Sequence, residues 1–190
     1  MKANIILSGV GGQGILSIAA VIGEAALQNN LYMKQSEIHG MSQRGGDVQS
    51  NLRISDSPIA SDLIPLKGAD LILSLEPMEA LRYIPFLSDN GWIVSSSLAF
   101  KNIPDYPDEE SVLNEIRNIK NSCLLDVEAI AKEVGSVRTS NMVLLGAALP
   151  YLGIPELYIE NGIKSIFAKK GEEIVQLNLK ALRAGYNHKK

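Results

Sequence analysis

Two glycine-bearing stretches hold the residues whose types and spacing suit chemistry. Gly9-Val10-Gly11-Gly12-Gln13-Gly14 follows the apolar run Ile5-Ile6-Leu7. Its spacing is that of a turn in which backbone N–H groups approach a phosphate, with glycines 9, 11 and 14 expected to take positive φ. A helix opening after Gly14 adds the positive end of its dipole. Gln13 brings a side-chain amide that can serve a ligand or the local backbone. The second stretch is Ser42-Gln43-Arg44-Gly45-Gly46. Adjacent glycines and exposed amides beside a permanent cation suit an anion or carboxylate, and equally suit a surface turn with a solvated arginine.

The elements that must position these loops alternate in type. Ile15, Ala19, Ile22 and Ala26, flanked by Leu16, Ala20, Gly23 and Leu27, make one helix face running to about Asn30. Strands are predicted over about 31–38, 47–54 and 71–75, with a proline-led helix over 77–87. Asp89-Asn90-Gly91 reads as a turn before the strand Trp92-Ile93-Val94, and Ser95-Ser96-Ser97 either as residues lining a site at that strand's end or as a solvated loop. A helix over 111–119, a strand over 123–126 and a helix over 127–134 follow. From Thr139 the chain reads as wholly helical, capped by Thr139 or Ser140, with an apolar face through Met142, Leu145, Leu149 and Leu152 and further helices from near Pro155 and Gly171. The expected fold is α/β: a Rossmann-like mixed sheet flanked by helices, with a helical C-terminal region, in one domain over 1–190.

Composition narrows the function. At 190 residues and 46% hydrophobic content the chain can build one well-filled core. A formal charge of −3 offers no basic excess for nucleic acid. The single cysteine, Cys123, excludes an internal disulfide, an iron–sulfur cluster and a thiolate zinc site within this chain, and its setting is that of a small packed hydrophobe. Without a long uncharged apolar run or a basic leader, the protein is expected to be cytoplasmic and off the membrane.

A dinucleotide site also needs an acidic residue about 20 positions past the glycines for the ribose. None stands there. Glu37 lies farther along, as a base or a loop anchor, and His39 has no second histidine or acid at ligand spacing. A hydrogen bond or a partner contact therefore suits His39 better than a metal.

Taken with Ser36-Glu37-Ile38-His39-Gly40-Met41 ahead of the second stretch, and with Asn141 and Leu145-Gly146-Ala147 near the C-terminal end, the two motifs resemble the gamma-domain family of 2-oxoacid:ferredoxin oxidoreductases over nearly the whole chain. Met41-Ser42-Gln43-Arg44-Gly45-Gly46 is most similar to the beta subunits of the indolepyruvate enzymes. The resemblance implies a complex that decarboxylates an aryl pyruvate, forms an acyl-coenzyme A and reduces ferredoxin. This chain would be its small, non-thiamine subunit, inactive alone.

Thiamine diphosphate, magnesium and the iron–sulfur clusters are then expected on a large partner subunit. The absence here of a Gly-Asp-Gly with a following Asn, and of a cysteine cluster, agrees with that division. Coenzyme A is the ligand expected on this chain, because its phosphates suit the amides at 11–14 and Arg44 and need no ribose acid. The expected binding residues are Gly9, Gly11, Gly12, Gln13, Gly14, Ser42, Gln43, Arg44, Gly45 and Gly46, with no catalytic residue and no metal ligand. Alone, the chain would leave uncovered the apolar patch meant for the large subunit and would be open to pairing with itself. The alternative is a free-standing nucleotide- or coenzyme A-binding module without redox chemistry.

Overall fold

The structure, a computed structural model, describes residues 1–40, 46–101 and 103–188. Strand β1 (Lys2–Val10) is buried from Ala3 onward, and helix α1 (Ile15–Gln28) turns Ile15, Ile18, Ala19, Val21, Ile22, Ala25 and Ala26 into the core. Then come β2 (Tyr32–His39), β3 (Asp47–Ser55), β4 (Ala69–Ser74), α2 (Pro77–Arg82), β5 (Leu87–Ser96), α3 (Glu109–Arg117) and β6 (Ser122–Leu125). Helices α4 (Val127–Val134), α5 (Ser140–Leu152), α6 (Glu156–Phe167) and α7 (Glu172–Asn187) complete the chain. The α/β class and the mixed sheet are as the sequence implies.

The sheet runs β2-β3-β1-β4-β5-β6. Strands β1, β4, β5 and β6 are parallel, and β3 is antiparallel to both β1 and β2. Alternation along each strand sorts the side chains between two faces. Ile5, Leu7, Leu71, Leu73, Val94, Cys123 and Leu125 meet α1 and α4 to α7, while Ile6, Ile72 and Ile93 meet Ala80, Tyr83 and Ile116 of the α2 and α3 side. The chain therefore leaves β1 over one face and β4 over the other. The crevice this opens at the carboxyl ends of β1 and β4 is where open α/β sheets bind ligands.

The structure departs from the sequence reading at several boundaries. The helix from Pro77 stops at Arg82, and a 3-10 turn over Ile84–Phe86 leads into β5. Pro85 cannot donate to a continuing helix, so the chain tightens and leaves. Asp89-Asn90-Gly91 lies inside β5 as an irregularity, where pairing passes from Ala69↔Leu87 to Leu71↔Trp92. Ser95 and Ser96 are buried strand residues, not a solvated loop. Asp126 belongs to no strand: its carboxylate caps α4 by accepting from the Ala129 N–H at 2.8 Å. Thr139 stands at the start of α5 without capping it, since its hydroxyl donates to the Ser136 carbonyl at 2.8 Å.

Helix α5 is buried on almost every side, from Asn141 through Leu149, where the sequence suggests a single apolar face. It lies between the sheet and α7. A Cβ on Gly146 would stand 1.9 Å from the Leu182 carbonyl oxygen, and one on Gly185 would stand 1.9 Å from that of Val143. The two backbones touch, and no side chain fits between them. Gly146→Ala and Gly185→Ala should each destabilise the fold by about 3 kcal/mol or prevent folding, as overpacking against rigid backbone does. Urea unfolding of the purified variants measures this, and a wild-type midpoint for either would disprove the close packing.

Candidate functional site

The glycine turn forms at the carboxyl end of β1 and is closed by its own glutamine. Gln13 Oε1 accepts from the Val10 N–H at 2.7 Å, and Nε2 donates to the Leu75 carbonyl at 3.2 Å, which staples the turn to the end of β4. The Leu75 N–H donates to the Ser8 carbonyl at 3.1 Å and adds a second tie. Gln13 is thus spent on backbone, the local alternative for its amide. Positive φ falls at Gly12 and Gly14, not at Gly9 and Gly11 as the spacing suggests. Gly9 instead lies in the strand, where a Cβ would meet Gln13 Oε1 at 2.8 Å.

Gly14 couples the turn to the far end of the chain. It takes φ +91° at the start of α1, and a Cβ there would stand 2.7 Å from Asn141 Nδ2. That Nδ2 donates to the Gly14 carbonyl at 3.2 Å, while Asn141 Oδ1 accepts from the Met142 N–H at 3.0 Å. The first turn of α5 is therefore tied to the first turn of α1.

These ties frame a cavity of ≈ 780 Å³, lined by Gly11, Gly12, Gln13, Gly14 and Ser17 on one side. The ends of the parallel strands contribute Leu75 and Ser96, followed by Leu98, Ala99 and Phe100. Residues 136–141 and then Phe167, Lys170, Ile174 and Asn178 close the other side. Arg138 and Lys170 face one carboxylate, Glu128, so the lining side chains carry a positive excess. The Lys170 ammonium lies 5.3 Å from the Phe167 ring centroid, where the ring face attracts a cation. The volume is that of a site for a molecule of cofactor size. Neither Arg138 nor Lys170 carries a motif in the sequence; they reach the cavity only because α4 to α7 fold back over the sheet.

Of the residues singled out from the sequence, Gly11, Gly12, Gln13 and Gly14 line the cavity and Gly9 supports it from behind. Gly46 is brought to the same turn, its carbonyl accepting from the Gly11 N–H at 2.9 Å. Ser42, Gln43, Arg44 and Gly45 lie outside the described residues. Glu37 and His39 share one side of β2, with His39 Nε2 3.2 Å from Glu37 Oε2, an acid partner that spacing along the sequence did not suggest. Among the described residues no three His, Cys, Asp or Glu side chains converge as a metal site would require.

Comparison with known proteins decides the lineage. The pyruvate ferredoxin/flavodoxin oxidoreductase family matches residues 4–188. The chain belongs to this family. It is 38% identical to the indolepyruvate oxidoreductase subunit IorB of Archaeoglobus fulgidus, over 98% of this chain and 95% of that one. Pyruvate oxidoreductase subunit PORC of Thermotoga maritima superposes with a TM-score of 0.73 at 25% identity, covering 98% of this chain and 96% of the other. The 2-oxoglutarate:ferredoxin oxidoreductase of Magnetococcus marinus, solved with 2-oxoglutarate, coenzyme A and succinyl-CoA bound, shares the fold with a TM-score of 0.77 at 22% identity. This chain is 98% covered there and spans 30% of that longer one. The family resemblance drawn from the motifs is borne out, including its indolepyruvate branch.

One buried acid in this family member stands beside the cavity without lining it. Glu76 follows β4, is 1% exposed, and caps α2 with Oε2, which accepts from the Glu79 N–H at 2.8 Å. Its Oε1 accepts from the Phe100 N–H at 3.3 Å and from the Tyr106 hydroxyl. Burial raises the Glu76 pKa above the ordinary glutamate value, against the lowering effect of its hydrogen bonds from Tyr106, Glu79 and Phe100, and the nearby Glu79 charge adds to the rise. Burial, reinforced by the Glu76 carboxyl, likewise raises the Tyr106 pKa, so the phenol remains a donor.

The folded protein holds the Glu76 proton more tightly than the unfolded chain does. That contribution to stability is full below the usual glutamate range and is lost as pH rises through the raised folded value. The stability of wild type relative to Glu76→Gln should therefore fall as pH rises from the ordinary glutamate range through the raised folded value, because only wild type has a proton to lose at position 76. Parallel pH profiles in urea melts of the two proteins would refute the assignment.

Proposed function

We propose that this chain is the small, non-thiamine subunit of an indolepyruvate-type 2-oxoacid:ferredoxin oxidoreductase, and that its cavity holds the phosphate-bearing part of coenzyme A. The observation that carries the reading is end-to-end likeness to an indolepyruvate oxidoreductase subunit in a chain whose glycine turn opens into a cofactor-sized cavity. Residues 1–190 act as one domain in this reading, since both core clusters are built on the same sheet. The relatives support an enzyme subunit and give no support to a free-standing binding module.

The division of labour is the one that the family resemblance implies. Decarboxylation and the electron path to ferredoxin belong to groups on a large partner subunit: thiamine diphosphate with magnesium, and iron–sulfur clusters. This chain's residues bind and orient. In the turn the Gly11 N–H goes to Gly46 and the Gln13 N–H to Val10, so the peptide groups offered beside the first turn of α1 are those of Gly12 and Gly14, and Arg138 and Lys170 supply positive charge for phosphate oxygens. Gly46, two residues after Arg44 in the sequence, is bonded through its carbonyl to the Gly11 N–H, and the Arg44 cation joins the phosphate-binding residues in this reading. Gly9 and Gln13 support the turn, and Ser42, Gln43 and Gly45 join Arg44 in this reading through their place in the sequence.

The loop face is the one turned to the large subunit. Phe100, Val137 and Ile174 stand exposed around the cavity and would be covered there, or by a second copy in the isolated chain. No helix among the described residues is long and apolar enough to cross a membrane. The complex is assigned to the cytoplasm.

Co-expression with the candidate large subunit tests the assignment. The two chains should co-purify, and anaerobic reduction of ferredoxin with indolepyruvate and coenzyme A should need both. A large subunit fully active alone would overturn the reading. Arg138→Ala and Arg44→Ala in the assembled enzyme should each raise the KM for coenzyme A about tenfold, the scale of one charge-assisted contact. Unchanged turnover and unchanged coenzyme A dependence in both would remove the cavity from the binding site.

A further inference from the structure

Glu76 performs two jobs with its two carboxylate oxygens, and only one of them concerns α2. Helices α3 and α4 are capped by the exposed aspartates Asp108 and Asp126, which accept from Ser111 N–H at 3.0 Å and Ala129 N–H at 2.8 Å. A cap needs no more than that. At α2 the acid is instead longer and buried, a placement that disfavours its charged form unless hydrogen bonds offset the lost water. Its second oxygen reaches across to the segment that follows β5, taking the Phe100 N–H and the Tyr106 hydroxyl.

That segment is a wall of the cavity. Leu98, Ala99 and Phe100 line it, yet Phe100 is 46% exposed, so side-chain packing alone does not hold the strap down. Its start is anchored by the Ser97 N–H on the Leu125 carbonyl at 2.9 Å and the Leu98 N–H on Ser96 Oγ at 3.1 Å. Farther along, the ties among the described residues include the two bonds to Glu76, a hydrogen bond between the Tyr106 hydroxyl and the Met78 backbone at the start of α2, and the Lys101–Glu109 ion pair at 2.5 Å, whose partners are solvent-exposed and contribute little.

We infer that Glu76 is a positioning residue, whose Oε1 clamps the strap after β5 through Phe100 and Tyr106 and so sets the affinity of the cavity for its ligand. The inference rests on the reading of that cavity as the coenzyme A site. Glu76 touches no ligand in this scheme. Because Tyr106 supplies only a hydroxyl, removing it loosens the strap and leaves the Glu76–Glu79 cap bond of α2 in place.

The test uses the assembled two-subunit enzyme, with coenzyme A as the varied substrate and amide hydrogen exchange read on the peptide containing Phe100. Tyr106→Phe should speed exchange there and raise the KM for coenzyme A about three- to tenfold, the scale of one hydrogen bond to a charged group, with kcat at saturation nearly unchanged. Glu76→Ala, which removes both acceptor oxygens, should do the same with an added loss of Tm from the α2 cap, and Tyr106→Phe should add little to the KM in that background. Asp108→Ala is the structural control: it removes the cap of α3 and should lower Tm without moving the KM.

Ser17→Trp, which fills the cavity from α1, separates the clamp from the cavity reading. If Ser17→Trp raises the KM and Tyr106→Phe changes neither exchange nor KM, the clamp is wrong and the cavity reading stands. If Tyr106→Phe speeds exchange but neither variant moves the KM, the cavity is not the coenzyme A site and the clamp has no role in ligand binding.

Discussion

The turn that ends β1 is the constraint on which the carboxyl end of the sheet depends. Where the chain leaves a central strand, its peptide groups lose their ladder partners and must be satisfied some other way. Gln13 does this from within the turn by bonding Val10 and Leu75, and Asn141 does it from the opposite end of the sequence by bonding Gly14. Two amide side chains thereby hold β1, β4, α1 and α5 in one arrangement. The cavity is the space left between them. A polar group buried at such a junction is destabilising unless paired, so these bonds narrow the geometries open to the turn as well as joining its parts.

Packing around α5 answers the same demand on a larger scale. The helix is apolar on nearly all sides because it has neighbours on nearly all sides, the sheet on one and α7 on the other. Backbone contact at Gly146 and Gly185 sets the spacing of α5 and α7, and α7 in turn carries Ile174 and Asn178 to the cavity wall. A site whose floor is a turn and whose walls are helices from a distant part of the chain needs that spacing to be rigid. Closely packed glycines provide it, since backbone against backbone has no rotamers to relax.

Charge is distributed consistently with that frame. Cations stand at the rim, at Arg138 and Lys170, where water still reaches them and a phosphate could replace some of that water. Glu76, one of two buried acids with Glu79 among the described residues, stands behind the wall, where its bonds go to protein groups. An anion entering the cavity thus meets amides and exposed cations before it meets any buried carboxylate.

Much of this was legible in the sequence, because local rules govern it. The glycine spacing marks the turn after β1, the apolar stripe of α1 marks a helix packed on a sheet, and Asn141 and Gly146 already stood among the residues carrying the family resemblance. Boundaries slipped where tertiary pairing overrode local signals. Asp89-Asn90-Gly91 has turn chemistry but is drawn into β5 by β4, and Ser95 and Ser96 look like loop residues but complete a strand covered on both faces. The sequence by itself determined the class of fold, the order of its elements and the family, all of which rest on periodicity and short motifs. Only the tertiary structure decided which glycines turn, where Gln13 spends its amide, and that Glu76, Phe100, Arg138 and Lys170 gather around one cavity. The physical reason is that those outcomes depend on contacts between residues far apart in the chain, whose partners no local pattern names.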